Sequence, residues 1–108
     1  MDEAVFNALA EAELARIEAA LEGLGLDIDI EPKPGGVLEI TCENDSRVII
    51  NRHGAAREIW VAARSGGYHF APGEQGWIAG RDGAELYATL SRVLSEQCGA
   101  SVMLEPGA

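Results

Sequence analysis

Between Phe6 and Leu24 the apolar positions Phe6, Ala10, Leu14, Ile17, Leu21 and Leu24 recur at steps of four and three. That spacing draws one continuous stripe along an α-helix. Alanine and glutamate, both good helix formers, fill most of the other positions. Gly23 and Gly25 end the helix. The period then changes to two. In "LDIDIE", Leu26, Ile28 and Ile30 alternate with Asp27, Asp29 and Glu31, which predicts a half-buried strand over 26–31 with every outward position acidic. "PKPGG" breaks the chain. "VLEITCE" and "SRVIINR" read as two strands joined by the turn "NDS", with Leu38, Ile40 and Cys42 on one parity of the first and Val48 and Ile50 on one parity of the second. "REIWVAA" is the next strand and "SGG" the next turn; "YHF" and "GWIA" are short strands separated by "APGEQ". A final helix begins within "RDGAELYATLSRVLSEQCG". Asp82 has the look of its N-cap, with Glu85 at capping-box spacing. Leu86, Leu90, Val93 and Leu94 form its apolar stripe, and Gly99 stops it.

The element order is one helix, about six strands and one helix, without a linker, repeat or low-complexity tract. This predicts one α+β domain over 1–108, a two-layer sandwich whose N- and C-terminal helices pack on one face of an antiparallel sheet. The other face is then uncovered. Parity assigns residues to it. Ile59, Val61 and Ala63 share one side of their strand; Glu58, Trp60 and Ala62 share the other. If Ile59 and Val61 face the core, Trp60 faces outward beside Glu58. On the preceding strand Asn51 opposes Val48 and Ile50 in parity and joins the same outer face.

Charge narrows the partners. Eighteen acidic residues against eight basic ones give a formal net charge of −10. Such a surface repels nucleic acid and anionic membranes and attracts cations and basic protein surfaces. The first 24 residues lack a basic leader region and an uninterrupted apolar stretch, so neither a signal nor a transit peptide is expected. No segment approaches the ~20 apolar residues of a membrane span. Cys42 and Cys98 are isolated in sequence. The expectation is a reducing bacterial cytoplasm, with Cys42 a small buried hydrophobe and Cys98 a residue at an exposed helix end.

Nucleophile and phosphate motifs are absent: no GxSxG, Walker or GxGxxG pattern occurs, and neither cysteine has a histidine nearby in sequence. His53 and His69 lie far apart, without a zinc-type cluster. The carboxylates carry more signal. On a helical wheel Glu11, Glu18 and Glu22 fall within about 40° of one another, at 100° per residue. Glu18 and Glu22 are i,i+4 neighbours, a like-charge spacing that costs a few tenths of a kcal/mol. The run continues into Asp27, Asp29 and Glu31. Clustered carboxylates suit hard cations bound through oxygen, weakly where no cage closes. They also steer basic proteins. Edge protection of a strand and simple solvation are the competing explanations.

The segments "GGVLEITCENDSRVIINRH", "EIWVAARSGGYHF" and "GWIAGRDG" resemble the bacterial (CyaY-type) frataxin family, and the likeness extends over most of the chain. The resemblance implies the sandwich described above. It implies a role in iron–sulfur cluster assembly, without standalone catalysis, and a monomer in the absence of iron. It implies weak binding of ferrous and ferric iron through acids that match Glu18, Glu22, Asp27, Asp29 and Glu31, to which the helical wheel adds Glu11. It further implies binding to the cysteine desulfurase–scaffold complex, with Asn51 and Trp60 on the sheet platform that meets the scaffold and Glu58 beside them. Pure modulation of the desulfurase with incidental iron binding is the alternative. A ferroxidase or storage role would want buried ligand pairs such as Glu-x-x-His, which the chain lacks. Departures from the family pattern fall at Ala19, Gly23 and Gly25, where acids are frequent. Others are His53 and Glu58, where glutamines are usual, and Ala71, where aspartate is frequent.

Overall fold

Asp2 begins the first helix: its carboxylate accepts the Val5 N–H at 2.8 Å and caps α1, Glu3–Glu22. In this computed structural model, which describes residues 1–106, six strands follow: β1 Asp29–Lys33, β2 Val37–Thr41, β3 Arg47–His53, β4 Glu58–Ala63, β5 Gly66–Gly73 and β6 Gly76–Ile78. Helix α2, Leu86–Cys98, completes the order. The final two positions of the expected domain, 107 and 108, lie outside the described residues. The sheet is an antiparallel meander, β1-β2-β3-β4-β5-β6.

Both helices cover one face, as the alternation demands. Leu38, Ile40, Val48, Ile50, Ile59, Val61 and Phe70 from the sheet meet Phe6, Ala10, Ile17 and Leu21 from α1 and Leu86, Leu90, Val93 and Leu94 from α2. Each fully buried side chain of this kind stabilises the fold by ~1.5–3 kcal/mol. The tail after α2 joins the same core through Val102 and Leu104, held by the hydroxyls of Ser91 and Ser95.

Four local expectations change. The first strand does not cover 26–31. Its pairing starts at Asp29, opposite Thr41, because β2 ends there, and the Ile28 N–H turns back to the Leu26 carbonyl. Asp27 therefore sits in the connection, not in the strand. The strand instead runs on through Pro32, which an edge strand tolerates because one row of its N–H groups faces no neighbour. Strand β5 likewise extends through Gly73, absorbing residues read as loop. The cap of α2 is Glu85, not Asp82: the Glu85 carboxylate accepts the Tyr87 and Ala88 N–H groups at 2.9 and 3.0 Å. Gly83, with φ +75°, bends the chain away from helix, and Ala79 N–H donates to the Ala84 carbonyl, so 79–84 is a loop.

The fourth change concerns the cysteines. They are not separate: Cys42 and Cys98 form a disulfide across 56 residues, with Cα atoms 5.2 Å apart. The end of β2 and the end of α2 meet at one corner of the core, a convergence that linear spacing does not reveal. Cys42 is buried as expected, and Cys98 is partly buried instead of exposed.

A polar cluster also lies inside the core. Glu13 is only 6% exposed. It accepts the Trp77 indole N–H at 3.1 Å and the Tyr87 hydroxyl, and Arg16 approaches it at 3.3 Å. Burial, and then the adjacent Glu13 carboxylate, push the Tyr87 phenol above its ordinary value of 10.0. The cluster ties α1, β6 and α2 together.

Candidate interaction surface and acidic ridge

Antiparallel register lines up a row of residues across the uncovered face: Val37 opposite Asn51, Asn51 opposite Trp60, Trp60 opposite His69. Cross-strand partners on one face have Cβ atoms about 4.5–5.5 Å apart, close enough for rings to meet. Here they stack. The His53 and Trp60 ring centroids are 3.9 Å apart with planes 13° from parallel; Trp60 and His69 are 4.2 Å apart at 11°. His69 comes from directly across the ladder and His53 from the diagonal, since His53 itself pairs with Glu58. The result is a three-ring ridge with Trp60 as its middle slab.

Hydrogen bonds fix the ridge. The Trp60 indole N–H donates to Glu58 Oε1 at 2.9 Å. The same oxygen lies 3.9 Å from His69 Nδ1. His53 Nδ1 accepts the Ala56 N–H at 3.2 Å, which orients that ring from the β3–β4 turn. Asn51 donates to the Arg52 carbonyl at 3.2 Å. Beside the ridge, an open depression of about 390 Å³ is lined by Glu58, His69, Arg81 and Asp82, among others.

Asn51, Glu58 and Trp60 thus lie together on the outer face, as parity predicted, and each is half-buried. Trp60 does not stand bare, because a histidine stacks on each face of its ring. The two histidines are what the sequence reading missed. His53 shares the parity of Asn51, which is a usable signal; His69 joins only through the β4–β5 register, which depends on where the "SGG" turn closes.

The carboxylates form a looser set. Glu11 and Glu22 are exposed on α1 and Glu18 is partly covered; Asp27 is exposed in the connection, and Asp29 and Glu31 are exposed on β1. Glu11 and Glu18 line a groove of about 340 Å³ between α1 and the β1–β2 turn, where Lys33 also sits. Two of the six face cations: Glu11 lies 3.6 Å from Arg52, and Glu31 lies 3.8 Å from Lys33. Lys33 bonds more closely to Glu39, at 2.9 Å. That hydrogen bond raises the ammonium above its usual range and lowers the Glu39 carboxyl below its own. Among the described residues, no three or more His, Cys, Asp or Glu side chains are grouped to hold a metal ion. Nor is any helix long and apolar enough to cross a membrane.

Comparison with known proteins agrees with this architecture. The profile of the frataxin-like domain matches residues 1–100. The iron-sulfur cluster assembly protein CyaY of Dechloromonas aromatica is 53% identical over 104 residues, covering 96% of this chain and 99% of that one. The protein of the same name from Cupriavidus taiwanensis is 50% identical, covering 94% and 95%. The solved structure of frataxin from Psychromonas ingrahamii superposes with a TM-score of 0.86 at 29% identity, covering 94% of this chain and 96% of that one. On a family profile spanning nearly the whole chain, relatives about half identical end to end and a shared two-layer fold, the chain belongs to the frataxin-like family of CyaY proteins.

Proposed function

We propose that this protein is a non-enzymatic regulator of iron–sulfur cluster assembly in the bacterial cytoplasm. It docks on the cysteine desulfurase–scaffold complex and takes iron weakly on its acidic ridge. The carrying observation is the His53–Trp60–His69 stack on the one sheet face that no helix covers. An aromatic held rigid by its neighbours loses little side-chain entropy when a partner covers it, and tryptophan is among the residues enriched at binding hot spots. The relatives' name supplies the pathway. Six carboxylates along α1, the connection and β1 supply a field for a basic desulfurase surface, and this steers encounter more than it adds affinity.

One observation favours a division of labour within this reading. With Glu11 and Glu31 facing cations and no closed ligand group among the described residues, the ridge suits protein docking better than metal retention. Iron then exchanges quickly from Glu18, Glu22, Asp27 and Asp29. The test is a desulfurase assay with scaffold, run with and without iron, on the wild-type protein and on Glu18→Lys/Glu22→Lys. The double variant is expected to lose both ferrous-iron binding and salt-sensitive docking, while its melting temperature holds or rises slightly as like-charge repulsion is relieved. Unchanged sulfur delivery on adding the wild-type protein would overturn the regulatory reading. Iron-induced NMR broadening centred on His69, sparing the acidic carboxylates of α1 and β1, would overturn the metal assignment.

A further inference from the structure

The Cys42–Cys98 disulfide lies where three elements and the C-terminal tail converge. Cys98 is the last residue of α2, and Gly99, in the left-handed region at φ +68°, turns the chain back so that Val102 and Leu104 pack into the core. Non-covalent bonds already place this corner. Asn44 donates to the Gln97 carbonyl at 2.7 Å. The buried Gln97 side chain donates to the Arg47 carbonyl at 3.0 Å and accepts the Arg64 N–H at 2.8 Å. These bonds hold the two cysteines near each other without the covalent link. The Cα separation of 5.2 Å lies within the range that disulfides span.

We infer that Cys42 and Cys98 form a reversible dithiol–disulfide latch, which fixes the α2 C-terminus and the tail to the β2 end of the sheet and exchanges with low-molecular-weight thiols through Cys98. The asymmetry of burial sets the route. Cys42 is 3% exposed, whereas Cys98 is only partly buried. An incoming thiolate attacks Cys98 Sγ, forming a mixed disulfide there and expelling Cys42 as a thiolate, which takes up a proton. A second thiol then attacks the mixed disulfide and leaves as the external disulfide, returning Cys98 as a thiol. Two external thiols are oxidised to one disulfide as the protein disulfide is reduced to two thiols. Oxidation is the reverse, with a glutathione-type disulfide as the oxidant. Expelling a thiolate into apolar surroundings is unfavourable. Exchange therefore waits on opening of the α2 end, and the Gln97 bonds restrain that opening. The latch acts on stability and leaves the ring ridge intact, because Cys42 shares the core parity of Leu38 and Ile40 while Trp60 faces the other side of the sheet.

The test uses the full chain equilibrated with oxidised glutathione. Thiols are counted by maleimide shift after denaturation, and melts are recorded with and without dithiothreitol. The expected result is a monomer with no free thiol. Reduction should lower its melting temperature by on the order of 10 °C, the scale for releasing a loop of this length. Cys98→Ala is expected to melt with the reduced wild type and to ignore dithiothreitol. Gln97→Ala should speed reduction of the folded protein several-fold. Two free thiols remaining after oxidation, a disulfide-linked dimer in place of the internal bond, or equal melting of the oxidised and reduced forms would each overturn the latch. Equal reduction rates for the native and urea-unfolded chain would overturn the gating by α2. If Cys98→Ala fails to fold, the two wild-type melts decide alone.

Discussion

The two tryptophans separate fold from function, and replacing each by alanine measures the difference. Trp77 is 7% exposed, meets Phe6 edge-on at 5.9 Å and donates to buried Glu13. Truncating such a side chain costs ~3–5 kcal/mol. Withdrawing a donor from a buried carboxylate costs ~1–3 kcal/mol more. The sum approaches the whole stability of a typical domain, ~5–15 kcal/mol. Trp60 loses two stacked neighbours, each worth ~0.5–1.5 kcal/mol, and one hydrogen bond worth ~1 kcal/mol. Because Trp60 is only partly buried, its truncation should total about 2 kcal/mol. At roughly 4 °C per kcal/mol, Trp60→Ala should melt about 8 °C below the wild type and Trp77→Ala at least about 16 °C below it. Binding should run the other way. Titrating each variant, at a temperature where it is folded, into the desulfurase–scaffold complex should show Trp60→Ala weakened by about 30-fold or more, the scale of a 2 kcal/mol hot spot. Trp77→Ala should keep its affinity per folded molecule. If Trp60→Ala melts as early as Trp77→Ala, or binds within twofold of wild type, the ridge is a structural device and not a docking surface.

Three further outcomes follow from the same packing. Tyr87→Phe should cost ~1–3 kcal/mol at neutral pH by removing a donor from Glu13. Because the folded-state pKa of Tyr87 is raised, its contribution is full below pH ~10, the unfolded value, and falls as pH climbs past it, so the gap between variant and wild type in urea midpoint should narrow from pH 8 to 10.5; a constant gap would refute this. Gly36→Ala places a Cβ 2.3 Å from Arg52 Nε at φ +76°, whereas Gly35→Ala meets nothing within 4 Å at φ +86°. Both should lose ~1–2 kcal/mol to left-handed backbone strain, and Gly36→Ala should lose more by displacing Arg52 from Glu11; equal denaturant midpoints would rule out the Arg52 contribution. Raising salt should slow association with the desulfurase complex more than it speeds dissociation, which stopped-flow mixing checks; rates that ignore salt would count against charge steering.

Local pattern was enough for the architecture. The stripe Phe6–Ala10–Leu14–Ile17–Leu21 and the alternation in β2, β3 and β4 determined two helices on one sheet face, because burying those side chains dominates the free energy and period alone says which face they share. Parity likewise determined that Asn51, Glu58 and Trp60 turn away from the core. Glu13 and Gln97 stand on the helical stripes at i+3 steps from Ala10 and Leu94, so their burial was marked by position and masked by polarity. Tertiary structure decided whatever required knowing which distant groups meet. It supplied Trp77 and Tyr87 as donors that make a buried Glu13 tolerable, brought His69 across from β5 to complete the ring stack, set cations against Glu11 and Glu31, and carried Cys98 to Cys42. The physical reason is range. Periodicity records how each element faces water, a local property. Hydrogen-bond partners, stacked rings and disulfides are set by chain crossings tens of residues apart, which exist only once the core has closed.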